Sequence, residues 1–534
     1  MLNLSFFLTV AFVIASVSQL STGYKNPQCH PGRQVIVHLF EWRWDDIALE
    51  CKRFLGPRNY CGVQVSPPNE HRIFVSTDPS DPTFRPWWER YQPVSHYLDS
   101  RSGSAAEFAA MVATCNRHGV RIYVDAVVNH MAMVGGYGRG SGGSYYNAER
   151  EDFPGVPFSP RNFNGRDVCP TDDLTIHDYR DAIQVRNCRL LGLVDLRTGT
   201  DYVQRYIAKY FNELISLGVA GFRIDAAKHM WPQDIAGILN RTHNLIESEF
   251  GPNQRPFVYQ EVIDLKGNGE PIKNAEYTPI ARVTEFNYGR EVGRAFGGGG
   301  NLSSLIWFQP GQPDVYLVAS EDALVFIDNH DNQRGHGGGS NDILTFRRRK
   351  LYEAATAFEL VDSYGWPRIM SSYYWEERIE NGKDVNDWIG PPSGPDGNTD
   401  QVQIGTDDQC LGRWVCEHRW PAIRRAVQVR AAIEAASPKP TTARTEVGIN
   451  SIAIARTGLA FYAASTDNGL HSSSTVLQTG LPAGTYCDLM TGEVASDRSR
   501  CTGQSVTVRA DGLTDIQLAD GQFAMLIYTG SKLA

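Results

Sequence analysis

The chain has 534 residues, more than one typical domain and enough for a large barrel with a smaller companion. Its 42% hydrophobic and 21% charged content is that of a folded globular protein, and a formal net charge of -9 with a pI near 5.8 argues against nucleic acid or an anionic membrane as partner. The 23 Tyr, 23 Phe and 11 Trp exceed what a core alone needs and leave aromatic rings for a binding cleft.

Residues 1–18 carry no charged side chain and contain the apolar run Phe6-Phe7-Leu8-Thr9-Val10-Ala11-Phe12-Val13-Ile14-Ala15. The run is too short to span a bilayer, and small and polar residues follow it, so residues 1–23 read as a secretory signal peptide. No later stretch reaches about 18 uncharged apolar residues, so the mature protein is expected to be secreted and soluble. Short β-branched runs then recur at 35–42, 63–68, 120–130, 221–227, 257–262, 283–288, 324–331 and 367–373, with helical patterns between several of them. The clearest helix is 200–218, with Val203, Ile207, Tyr210, Phe211 and Leu214 on one face, Thr200 as N-cap and Gly218 as stop. Buried strands alternating with helices predict an α/β fold, a closed parallel (β/α)8 TIM barrel over 24–128 and 197–436. An open doubly wound sheet is disfavoured because no Gly-rich phosphate loop follows the first strand. Residues 129–196 are rich in Gly, Ser, Asp, Asn and Pro and predict an irregular domain inserted after strand three. From 437 to 534 the helical patterns give way to alternating runs, which predict a C-terminal β-sandwich.

Ten cysteines suit an oxidising compartment, and their spacing is not that of a zinc site. Cys410 and Cys416, Cys169 and Cys188, and Cys487 and Cys501 each bracket a loop and read as disulfides. In such a barrel the active site lies at the C-terminal ends of the strands. Acids stand there: Asp125 after strand three, Asp225 after four, Glu261 after five and Asp331 after seven. One such carboxylate is as readily a paired buried acid, because burial is costly without a partner. Four around one mouth suit glycosidic cleavage, where one carboxylate attacks the anomeric carbon and another protonates the leaving oxygen.

The segments Asp125-Ala-Val-Val-Asn-His130, Gly221-Phe-Arg-Ile-Asp-Ala-Ala-Lys-His229, Gln260-Glu261-Val262 and Phe326-Ile-Asp-Asn-His-Asp331 resemble the four signature segments of the alpha-amylase family. His38-Leu-Phe-Glu-Trp-Arg-Trp44, Phe84-Arg-Pro-Trp-Trp-Glu-Arg-Tyr91 and Asn332-Gln-Arg-Gly-His-Gly337 are similar to the chloride-dependent animal branch, and the likeness runs from about Val35 to Tyr528. The resemblance implies an endo-acting, retaining hydrolase of internal alpha-1,4 bonds in starch, glycogen and malto-oligosaccharides, expected to be monomeric. It makes Asp225 the nucleophile, Glu261 the general acid and then base, and Asp331 the group that binds and strains the sugar. That chemistry needs an ionised Asp225 beside a protonated Glu261. Trp87, Trp88, Tyr91, Gln92, His130, Lys228, His229, His330 and His336 are implied as substrate contacts, the last on a glycine-rich loop at 335–339 like the one that closes over substrate in animal enzymes.

Two ions are also implied. Asn129 and Asp195 match side-chain ligands of a structural calcium, and Arg186 and His229 match backbone-carbonyl ligands, a hard-oxygen set suited to that ion. Arg223, Asn329 and Arg368 match a chloride site, where an anion near Glu261 would favour the protonated acid at neutral pH. The likeness assigns the bridges Cys51–Cys115, Cys169–Cys188, Cys410–Cys416 and Cys487–Cys501; Cys29 and Cys61 remain and are expected to pair. Vertebrate relatives carry one more bridge where this chain has Asp99, which predicts a freer loop over 135–143. Asn240-Arg-Thr242 and Asn301-Leu-Ser303 are glycosylation sequons. The same carboxylates serve transglycosylation, and a relative without turnover would be a carbohydrate-binding protein; such relatives usually lose a catalytic acid, and all three are present here.

Overall fold

A computed structural model describes residues 23–74, 76, 85–394, 397–467, 470–471 and 475–534, so all but the last residue of the expected signal segment at 1–23, and Phe84, lie outside the described residues. Eight strands close a parallel barrel: β1 (Ile36–Leu39), β2 (Gly62–Val65), β3 (Arg121–Ala126), β8 (Gly221–Ile224), β9 (Phe257–Gln260), β10 (Arg282–Thr284), β11 (Ala323–Val325) and β12 (Trp366–Ser371). Register Ile36↔Arg368 between β1 and β12 completes the circle. The intervening numbers belong to the inserted segment, with β4 (His130–Met133), β5 (Tyr137–Arg139), β6 (Tyr145–Asn147) and β7 (Leu193–Asp195). Almost every residue of the barrel strands is buried, because one side of each strand fills the interior and the other packs under helices. A side chain at Gly221 would stand 2.1 Å from the carbonyl oxygen of Phe257, so only glycine lets β8 and β9 approach.

The helix predicted at 200–218 spans Asp201–Ser216 and buries Val203, Ile207, Tyr210, Phe211 and Leu214. Phe211 stacks on Phe222 of β8 with centroids 4.2 Å apart, a contact whose loss on Phe211→Ala should cost about 3–5 kcal/mol. Thr200 holds the N-cap position, but its hydroxyl donates to the Arg197 carbonyl (2.9 Å) and does not cap the helix. Gly218, at φ 97°, follows the helix end. Two strand expectations need correction. The run at 283–288 is a strand only to Thr284, because Glu285 accepts a hydrogen bond from Asn287 N (3.1 Å) and starts the helix Phe286–Gly297. The run at 120–130 breaks after Ala126, and His130 opens β4, pairing with Asp195 of β7.

The loop at 135–143 is also not left free by the missing bridge. The buried Glu70 carboxylate accepts from Gly142 N (3.0 Å) and Ser144 N (2.7 Å), while Ser141 Oγ donates to the Asp99 carbonyl (2.7 Å). A hydrogen-bonded acid thus ties the loop. The ten cysteines pair as Cys29–Cys61, Cys51–Cys115, Cys169–Cys188, Cys410–Cys416 and Cys487–Cys501.

Beyond the helix Pro421–Ala435, strands Thr442–Gly448, Ser451–Arg456, Ala460–Ser465 and Ala524–Tyr528 form an antiparallel sheet. Its residues alternate between two cores: Ile452, Ile454, Tyr462 and Leu526 join the barrel side, and Ala453, Phe461, Met525 and Ile527 pack in a second cluster. Polar contacts add to this junction at the C-terminal end of the helix Arg349–Val361. Arg430 donates to the Leu360 and Asp362 carbonyls, Arg456 to the Val361 carbonyl (3.1 Å), and Arg444 pairs with the Asp362 carboxylate (2.5 Å). Cations there satisfy the last carbonyls and complement the helix dipole.

Candidate active site

The acids converge on one guanidinium. Asp125 sits in β3 opposite Arg223 of β8, and Asp225 and Glu261 immediately follow β8 and β9. Arg223 Nη1 lies 2.5 Å from Asp125 Oδ1 and 2.8 Å from Asp225 Oδ1, while its Nη2 lies 2.5 Å from Glu261 Oε1. Two carboxylates held by neighbouring nitrogens of one planar group stand close together, as a retaining pair about 5–5.5 Å apart requires. The other Glu261 oxygen accepts from Ala226 N (2.8 Å), whose residue has the left-handed φ of 49°. A non-glycine residue in that region carries backbone strain, here where it aims an N–H at an acid. Asp331 comes from farther off, six residues past the end of β11, at the start of the turn Asn332–Arg334.

Burial drives the electrostatics of this cluster. It pushes the Asp225 carboxyl well above its ordinary range, Arg223 opposes, and the charges of Glu261 and Asp125 add to the rise. Burial also raises Asp125 against the pull of Arg223. Asp331 is raised to about 6 by burial and then by Glu261, with Arg223 and His336 opposing. Arg223 itself keeps its charge more firmly than usual: burial works against it, and Asp125, Glu261 and Asp225 more than compensate. Asp225, Asp125 and Asp331 are thus all raised by burial and by neighbouring acids, with Arg223 opposing each rise. The rise on Asp225, the acid the resemblance makes the nucleophile, runs against the ionised state that role requires.

Aromatic and imidazole rings surround the acids. Trp87 and Tyr91 lie in the short 3-10 helix Trp87–Tyr91, and the Trp87 indole donates to the Asp387 carbonyl (2.8 Å). Tyr91 donates to Asp125 Oδ2 (2.9 Å) and stacks on His330 at 5.3 Å. His130 Nε2 lies 3.0 Å from the Tyr91 carbonyl, and burial pushes its imidazole down to about 4. His330 stands 3.4 Å from Asp331 Oδ2, and burial followed by the charge of Arg223 keeps it neutral. His336, on the glycine-rich loop, pairs with Asp387 (3.0 Å), which raises it, and faces Trp87 at 6.1 Å. The loop packs on the site: a side chain at Gly337 (φ 38°) would meet Asp331 Cβ at 2.9 Å.

Not every expected contact residue joins this group. Trp88 packs edge-on against Phe74 at 4.7 Å. Gln92 is buried, with its oxygen taken by Arg72 (3.4 Å) and Met133 N (3.3 Å). Lys228 donates to the Ile263 carbonyl (2.7 Å) and pairs with Glu270. His229 faces the Val185 carbonyl (2.9 Å), and burial lowers it to about 3. The sequence placed Asp125 among the four acids at the barrel mouth without giving it a role, which its contact with Arg223 now supplies; Asp387, which meets Trp87 and His336, carries no comparable signal.

Two ion sites can be tested on unmet polar groups. The Asp195 carboxylate is 2% exposed, and among the described residues it has no ion-pair partner, only the amides of Asn164 (2.7 Å) and Asn129 (3.4 Å). Burial raises it well above its usual range. Turning the Asn129 amide over would set a second oxygen beside it, and an acid so placed calls for a cation. Arg186 and His229 lie on the neighbouring helix Ala182–Asn187 and turn Ala227–His229. These residues fit a hard cation. Arg368 shows the opposite deficit. It is 2% exposed, donates through Nη1 to Gln64 Oε1 (2.7 Å), and leaves Nη2 without a partner and, among the described residues, no carboxylate in ion-pair contact. Asn329 uses its side-chain oxygen on Asp331 N (3.1 Å) and Asn332 N (2.7 Å), which leaves its amide nitrogen to donate. Arg368, Arg223 and that amide fit an anion.

Comparison with known proteins agrees with this geometry. Residues 89–267 match the family described as alpha amylase, catalytic domain. The chain is 48% identical over 516 residues to the pancreatic alpha-amylase of Struthio camelus, covering 95% of this chain and 100% of that protein. It is 48% identical over 499 residues to the pancreatic alpha-amylase of Homo sapiens, covering 93% and 94%. A crystal structure of a variant of alpha-amylase I from Eisenia fetida in complex with maltohexaose superposes with a TM-score of 0.85 at 44% identity, covering 94% of this chain and 98% of that one.

Proposed function

The chain belongs to the alpha-amylase family of glycoside hydrolases and hydrolyses starch, and from that premise we propose that it cuts internal alpha-1,4 bonds of starch and glycogen with retention of configuration. Asp225 attacks the anomeric carbon as Glu261 passes its proton to the departing glycosidic oxygen. The bond to the leaving chain breaks and a covalent glycosyl ester forms on Asp225. Glu261, now a carboxylate, takes a proton from water, whose oxygen displaces Asp225 and restores the alpha configuration. The observation that carries this reading is the grip of Arg223 on Asp225 and Glu261 through adjacent nitrogens.

Asp331, His330 and His130 bind the hydroxyls of the sugar at the cleavage point, and Trp87 and Tyr91 offer ring faces to neighbouring units. Trp88, Gln92, Lys228, His229 and His336 contact the glucan farther out or after closure of the loop at 335–339. Asn129, Asp195 and the carbonyls of Arg186 and His229 would hold a calcium ion, which ties the inserted segment to the barrel. Arg223, Asn329 and Arg368 would hold a chloride, whose charge favours a proton on the acid cluster. The protein acts as a secreted monomer; no helix among the described residues is long and apolar enough to cross a membrane.

The test is the anomeric form of the sugars first released from soluble starch, followed by NMR with calcium and chloride present. Alpha-anomers are expected. Early beta-anomers would mean direct attack by water and remove both assigned roles.

A further inference from the structure

Gln64 stands on β2, Tyr259 on β9 and Arg368 on β12, and no two of these strands pair with each other in the barrel. Yet the Gln64 amide oxygen accepts from the Tyr259 hydroxyl (2.8 Å) and from Arg368 Nη1 (2.7 Å). Side chains on strands that are not adjacent can meet only across the barrel interior, so all three point inward, and all three are buried. The amide can be oriented only one way. A guanidinium donates and cannot accept, so the atom that faces Arg368 is the oxygen and not the nitrogen. Nε2 is left as a donor, and among the described residues it has no partner; neither has Arg368 Nη2. Two unmet donors therefore sit on two planar groups joined by one hydrogen bond. His38, opposite Gln64 in the register of β1 and β2, is buried with neither ring nitrogen bonded. Burial keeps its ring neutral, so one of those nitrogens is a further donor.

Buried donors without acceptors are destabilising, and a water could accept from them. A water would leave the charge of Arg368 unbalanced, because among the described residues no carboxylate is in ion-pair contact with it. Burial weakens the hold of Arg368 on its proton, Tyr259 opposes that and Arg223 adds to it. An acceptor that also carries negative charge meets both needs. We propose that Gln64 is a positioning residue of the anion site: its oxygen fixes the Arg368 guanidinium, and its amide nitrogen donates to the ion that Arg368 holds. That the ion is chloride and acts on the acids rests on the function proposed above; the orientation of the amide does not. Gln64 reaches the reaction only through Arg368 and the ion, and Tyr259 stands one step further back by holding the amide oxygen. A carboxylate in place of that amide would pair with Arg368 through both nitrogens and carry the negative charge itself.

The test is the melting temperature of the full-length protein in rising sodium chloride, balanced with sodium gluconate at constant ionic strength and with calcium fixed. An ion that binds the folded state alone raises that temperature with a concentration dependence set by its Kd. Wild type should show the rise. Gln64→Leu should need about tenfold more chloride for the same rise. Tyr259→Phe, which removes one hydroxyl and keeps the amide, should shift the same way by less. Gln64→Glu should melt higher than wild type in gluconate alone, gain nothing from chloride and show a starch turnover indifferent to it. A side chain that only packs would lower melting equally with and without chloride. That pattern in Q64L, or a wild-type response to chloride in Q64E, would overturn the role of Gln64. Should Q64L not fold, a wild-type response in both Q64E and Y259F overturns it equally. A wild type that ignores chloride would remove the chloride reading and this inference with it, whereas failure in the variants alone leaves that reading standing.

Discussion

Replacing Asp331 with asparagine should stabilise the folded protein at neutral pH while abolishing turnover. The Asp331 carboxyl is raised from 3.8 to about 6, by burial first and by Glu261 second. Among the described residues its side chain has one polar neighbour, His330 Nε2 at 3.4 Å, so asparagine forfeits little hydrogen bonding. A group whose folded value lies above its unfolded value contributes its full stability below the unfolded value and loses it as pH rises through the folded one. At 1.36 kcal/mol per pH unit, the gap between 3.8 and about 6 amounts to about 3 kcal/mol of cost by pH 8. That figure is an upper bound, because Glu261 shares the repulsion and 20% of the side chain reaches solvent. Asp331→Asn should therefore gain about 1–3 kcal/mol at pH 8 and about half as much at pH 5, where the wild-type group is already largely protonated. Calorimetric melting of both proteins at the two pH values, with calcium and chloride fixed, measures the difference. A variant less stable than wild type at pH 8, or a gain larger at pH 5, would refute the charge argument.

Other consequences follow from the same geometry. Glu261→Gln should lower starch turnover by about 10²- to 10⁴-fold while sedimentation with insoluble starch still shows binding; activity within tenfold of wild type would remove Glu261 as the acid. Chelation by EDTA should lower the melting temperature of wild type, whereas Asp195→Asn should melt lower from the start and respond little to the chelator; equal responses would argue against Asp195 as a ligand. Arg368→Gln should abolish the rise of starch turnover with added sodium chloride, measured against sodium gluconate at equal ionic strength. A variant still activated by chloride would place the anion elsewhere.

The barrel was legible because each strand is a short apolar run, and the site because its acids stand next to such runs. The boundaries were less so. Phe286, Asn287 and Tyr288 read as strand, since nothing in their apolar character reveals that Glu285 bonds the Asn287 amide and starts a helix. Gln92 and Trp88 sit beside Trp87 and Tyr91 in sequence, yet the tight 3-10 helix turns successive side chains in different directions, so Trp88 meets Phe74 and Gln92 meets Arg72 and Met133. Glu70 gave no sign of its role: an acid in a polar stretch looks solvated until the fold closes glycine-loop amides around it. Carbonyl ligands such as those proposed at Arg186 and His229 are invisible in any side-chain pattern, and only the family likeness pointed to them.

Charge imbalance inside the fold locates what side-chain identity alone could not. Among the described residues, Asp195 is a buried acid without an ion-pair cation, and Arg368 a buried cation without an ion-pair acid. Each would be costly if left so, since an uncompensated buried charge costs several kcal/mol. They do not compensate one another: Asp195 belongs to the inserted hairpin of β4 and β7, and Arg368 to the barrel wall between β1 and β11. Arg223 shows the converse, one guanidinium in ion-pair contact with three acids, so that negative charge outweighs positive there. The surplus of acid over base at the strand ends raises the Asp125, Asp225 and Asp331 carboxyls, and a second positive side chain placed there would lower them. Arg368, on the neighbouring wall, supplies positive charge without contacting the acids, and an anion beside it would cancel that charge before it reaches them.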